Sequence, residues 1–138
     1  VATEHKESEH HEYTAALCVR SETLGLSELT DRLGAPSRGH DSGDAVSSRR
    51  PESGRRSEAL WVIESSLDRK RPLDEHVEAM LAIIDSQLEV FAALRNACDI
   101  EIFCGLFAAN DAQGGFSIEP ELSARLAALS LPLVIDIY

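Results

Sequence analysis

Arg20, Glu101 and Asp136 are ionisable residues set within three different stretches that alternate like β-strands. Each falls on the second face of its strand, with the small residues Ala16 and Gly105 on the same faces. Charges at such positions are costly unless paired or solvated. The set therefore reads either as a structural ion pair of Arg20 with Glu101 or Asp136, or as the lining of a pocket. Arg38 and Trp61 extend the pocket reading: an anion suits the guanidinium groups, and the indole offers a packing surface. Two carboxylates by themselves specify no acid/base chemistry, because alternation sets neither their separation nor their pKa.

The remaining reactive side chains are placed less suggestively. His76 borders an apolar helical stripe, and no motif supplies it with a Ser, Cys or Asp partner, so a structural histidine is the expectation. Cys18, Cys98 and Cys104 are odd in number and form no CxxC pair, which argues against a disulfide framework or structural zinc and for buried free thiols. His5, His10 and His11 lie in a His/Glu-rich stretch that could bind a transition metal weakly; a frayed, solvated tail is the plainer reading. There is no P-loop, dinucleotide fingerprint, nucleophile elbow or zinc-protease helix. No cofactor or metal is expected.

Elements that position these residues follow from periodicity. Strands are expected over 13–20, 59–65, 99–108 and 133–138, the last one buried. A short helix should start at a Ser27 cap and stop at Gly34, with Leu29 and Leu33 inward. Pro72 opens a long helix to about residue 96. Its stripe comprises Leu73, Val77, Met80, Leu81, Ile84, Leu88, Phe91 and Leu94. Turn chemistry at 110–115 leads to a last helix opened by Pro120, with Leu122, Leu126 and Leu129 buried. Residues 28–34 (ELTDRLG) echo 121–127 (ELSARLA), which suggests a strand–helix–strand repeat.

Residues 35–57 carry no hydrophobic period. Gly, Ser, Pro and Arg dominate them, so a mobile, self-neutralising loop is expected, basic within an acidic chain. The organisation is then a polar tail over 1–12 and a single domain over 13–138. Its class is α+β with α/β character: a two-layer sandwich, about four strands in one mixed sheet packed by one long and two shorter helices.

The chain has 138 residues and a net charge of -11, from 24 acidic and 13 basic side chains. That field disfavours nucleic acid and acidic membrane surfaces and would steer a basic partner. No apolar run reaches the roughly 20 residues of a membrane span, and residues 1–13 lack a signal-peptide core. A cytoplasmic protein is expected.

Several signatures, in order and spacing, resemble the uncharacterised bacterial family of domain of unknown function 4279. They are the Leu29…Leu33-Gly34-Ala35-Pro36 helix exit, the Trp61 strand followed by Ser65, the Leu73…His76…Leu81 helix start, and the closing Leu126…Leu129…Asp136-Ile137-Tyr138. The loop departs from the family pattern in lacking an aromatic between Pro36 and Gly39. The resemblance implies a small bacterial α/β domain and transfers no catalytic residue. The expectation is thus a non-enzymatic binding or interaction protein, regulatory or immunity-like, with a basic protein partner or a homodimer. The alternative is a binding protein or enzyme for an anionic small molecule, its site between the 35–57 loop and the sheet.

Overall fold

The computed structural model describes residues 11–109 and 115–138. His5, His10 and the 110–114 part of the expected turn lie outside the described residues. Among the described residues the chain forms β1 (Glu12–Ser21), α1 (Leu26–Leu33), β2 (Arg38–His40), β3 (Ala59–Glu64), α2 (Leu73–Asp85), α3 (Leu88–Leu94), β4 (Asp99–Phe107), α4 (Pro120–Ala128) and β5 (Leu133–Ile137). The strands make one mixed sheet in the order β2-β3-β1-β4-β5, so the class is α+β. β2 pairs antiparallel with β3, and β4 pairs parallel with β5.

Two compact units share the chain. One comprises the described parts of 1–16 and 102–138 together with 64–82; the other comprises 17–63 and 83–101. In the first, Leu73, Val77, Met80 and Leu81 of α2 are buried, as are Ile102, Cys104 and Leu106 of β4 and Leu122 and Leu126 of α4. In the second, Leu17, Val19, Leu29, Trp61, Val62, Phe91 and Leu94 are buried. β1 is buried on both pleat faces between Ala15 and Val19, as suits a strand with a neighbour on either side.

The long helix expected over 72–96 is two helices. Ser86 Oγ donates to the Ile83 carbonyl at 2.7 Å, and Gln87 Nε2 donates to the Leu33 carbonyl at 3.3 Å. Gln87, with φ −142° and ψ 43°, has left the helical region. Serine back-bonding competes with the helical ladder and marks the break. The interruption shifts the phase of the stripe, so Leu88 is exposed while Phe91 and Leu94 return to the core.

The 35–57 segment, expected as a loop, carries local structure. Besides β2 it holds a 3-10 turn at Pro51–Ser53 and a bridge between Ala45 and Arg55. Backbone bonds join Gly43 to Arg56, Arg56 to Asp44 and Val46 to Gly54. Two of its arginines serve loop carbonyls: Arg55 donates to Gly43 at 2.8 Å and Arg56 to Val46 at 3.4 Å. The loop also caps α1, whose N-cap is Gly25 and not Ser27: Asp41 Oδ1 accepts from Leu26 N, and Glu28 Oε1 accepts from Gly25 N. Gly39 of β2 cannot carry a side chain, because a Cβ there would lie 2.4 Å from the Leu60 carbonyl oxygen.

The two echoed helices each lie, along the chain, between strands that are neighbours in the sheet: α1 between β1 and β3, with β2 added beyond β3, and α4 between β4 and β5, which pair in parallel. β5, expected to be buried, is an edge strand: Asp136 and Ile137 are exposed and Leu133 to Ile135 are only half-buried. At the N-terminal end, His11 belongs to the fold and not to a frayed tail. It is buried, and its Nδ1 accepts from Ala109 N at 2.8 Å.

Candidate functional site

Arg20 and Glu101 come together. The Arg20 guanidinium donates to Glu101 Oε1, with Glu58 Oε1 3.7 Å from its Nε. Both partners of the main pair are only partly exposed. Burial pulls the Arg20 pKa down, but the Glu101 hydrogen bond and charge, with Glu58 adding, outweigh it and the net direction is up. Of the two ion pairs open to Arg20 from sequence, the structure contains the one with Glu101.

A cleft of about 440 Å³ opens beside this pair, between the end of β1 and the turn that joins α3 to β4. Its charged lining is Arg20, Glu22, Glu58, Arg95 and Asp99, so acids outnumber bases. Ser21 forms its buried floor. Its Oγ donates to the Ala97 carbonyl at 2.8 Å and accepts from the Thr23 and Leu24 amides, so it is a structural hub with no spare nucleophilic role. Cys98 also lines the cleft; burial pushes its thiol pKa up, against a weaker pull from the Ser21 hydrogen bond. A thiol so shifted stays protonated at neutral pH and is a poor nucleophile. Cys104, deep in β4, is pushed by burial to about 12.

The other sequence-singled residues lie elsewhere. Trp61 is 1% exposed, and its Nε1 donates to the Gly34 carbonyl at 2.9 Å, so the indole is a core post holding the α1 exit against β3. Gly34 has φ +101°, a conformation that favours glycine. Arg38 is exposed on β2, opposite Val62. Asp136 belongs to the other compact unit, exposed on β5 opposite Gly105. Gly105 opens no pocket beside Asp136: an added Cβ would meet Thr14 Oγ1 at 2.7 Å and the Phe107 ring at 3.0 Å.

One pairing escaped motif reasoning. His76 is 1% exposed and its Nδ1 lies 2.8 Å from Ser65 Oγ, which also accepts from Leu67 N. His76 Nε2 is enclosed without a hydrogen bond of normal geometry, although backbone groups of Asp68 and Arg71 favour the charged ring. Burial outweighs them and lowers the ring's pKa. Ser65–His76 is a tie between the β3 exit and α2. The only sequence signal for it was the family resemblance, which contains both residues.

Among the described residues, no three His, Cys, Asp or Glu side chains gather as metal ligands, and no helix is long and apolar enough to cross a membrane. No curated protein and no solved structure matches the chain. A family model described as domain of unknown function (DUF4279) matches residues 11–138, which include the Trp61–Gly34 and Ser65–His76 ties. With nearly its whole length matched, the chain belongs to the family of domain of unknown function 4279.

Proposed function

We propose that this protein is a non-enzymatic interaction domain whose partner is basic. The observation that carries the reading is the Arg20–Glu101 pair flanked by Glu58. The arginine best placed to hold an anion is already neutralised, which leaves Glu22 and Asp99 against Arg95 in the cleft. A net charge of -11 adds a long-range field of the same sign. The reactive groups support it as well, since Ser21, Ser65 and Trp61 are spent on hydrogen bonds within the fold.

The alternative, an anionic small molecule held by Arg20, Arg38, Trp61, Glu101 and Asp136, has less behind it. Trp61 offers no open face, and Arg20 would have to leave Glu101. Amide chemical-shift titrations with an oligolysine peptide and with orthophosphate separate the two readings. The peptide is expected to move the amides of 20–23 and 95–99 at low salt and to lose that effect at high salt. Shifts there with orthophosphate and none with the peptide would replace this reading by the anionic one.

A further inference from the structure

Strand β5 has β4 as its one neighbour among the described residues. In a parallel ladder, alternate residues turn both backbone groups to the same side. The Pro132 carbonyl accepts from Ile102 N, Tyr138 N donates to the Leu106 carbonyl, and the Tyr138 carbonyl accepts from Ala108 N. Residues 132, 134, 136 and 138 therefore face β4, and Leu133, Ile135 and Ile137 turn their N–H and C=O groups outward. The side chains of these three share a face with their register partners Ile102, Cys104 and Leu106, which are buried. Yet Leu133 and Ile135 are half-exposed, and Ile137 is 73% exposed. Among the described residues the edge thus offers unpaired backbone groups beside an incompletely covered apolar row.

We propose that the β5 edge receives an extended segment of a basic partner as a further strand. Strand addition draws its affinity from backbone hydrogen bonds and its specificity from alternate side chains. The segment carries apolar residues beside Leu133, Ile135 and Ile137, and a Lys or Arg on the other face beside exposed Asp136. Open edges are commonly blunted by lysine or proline within the strand; 133–137 contains neither. Charge selects the occupant. A second copy would bring another chain of net charge -11, and the described residues of 102–138 carry Glu119, Glu121 and Asp136 against Arg125. Arg69, over the Phe107 ring that stacks on Tyr138, is itself held by Glu12 at 3.0 Å. The sign of the partner's charge rests on the basic-partner reading above; the surface does not.

The test is amide hydrogen exchange on the whole chain with a capped peptide of alternating valine and arginine, and with its glutamate counterpart. At about ten times Kd the arginine peptide should slow exchange at Leu133, Ile135 and Ile137 about tenfold. Ile137→Pro deletes one outward donor at an exposed side chain and should lose that protection. Asp136→Lys, which leaves the backbone edge intact, should transfer it to the glutamate peptide. Unprotected β5 amides overturn the proposal, as does protection that grows with protein concentration alone, which would make a second copy the occupant. Shifts confined to 20–23 and 95–99 overturn it while leaving the basic-partner reading standing. Preference of the unmodified chain for the glutamate peptide overturns both.

Discussion

Trp61→Phe distinguishes a core post from a ligand platform. The substitution removes the Nε1–H that donates to the Gly34 carbonyl and narrows a side chain that is 1% exposed. A net neutral hydrogen bond contributes about 1 kcal/mol. Gly34 is itself exposed, so its carbonyl can rebond water, which holds that loss to the ordinary value. Deleting even a single buried methylene costs about 0.5–1.5 kcal/mol, and indole to phenyl removes more than that. The sum is about 2–3 kcal/mol. For a chain of this size each kcal/mol shifts Tm by about 3–5 °C, so the variant should melt about 10 °C lower. Thermal melts and urea titrations followed by circular dichroism provide the measurement. Benzothienylalanine at 61, which keeps the ring shape and lacks the N–H, should recover all but about 1 kcal/mol. A Trp61→Phe variant within about 0.5 kcal/mol of the parent would refute the core-post assignment.

Further outcomes follow from the other ties. His76 is held below its ordinary pKa by burial, so the unfolded ring takes its proton first as pH falls below about 6.5. Its share of stability is complete above that value and drains away towards the lower folded value. His76→Gln should flatten the fall in urea midpoint across that window, and an unchanged slope would count against a buried neutral ring. Asp41→Ala removes an acceptor for Leu26 N and should cost about 1 kcal/mol, with faster amide exchange at Leu26 and Ser42; unchanged exchange would deny the cap. Glu101→Gln leaves Arg20 with Glu58 as its remaining ion-pair partner among the described residues, so orthophosphate should bind the cleft more tightly than in the parent, measured by shifts of the 20–23 amides. Equal affinity would show that Glu101 does not occupy the anion position.

Local pattern alone carried much of this protein. Period-two alternation located β1, β3, β4 and β5, because a pleat sends successive side chains to opposite faces whatever the strand order. Gly34 and Pro120 marked a helix stop and start through their own backbone limits, and the resemblance resting on Trp61, Ser65 and His76 named the family. Position in the sheet was not local information. That β5 is an edge, that β3 separates β2 from β1, and that Arg20 meets Glu101 across 81 positions all depend on strand order. The helix break at Ser86 and Gln87 and the contact of the 35–57 segment with α1 were hidden for the same reason: their hydrogen bonds run to Leu33 and Leu26, and no periodicity records such partners. Composition fixed the sign of the field around this chain, whereas only the tertiary structure decided which charges are spent inside it and which backbone edge is left to meet a partner.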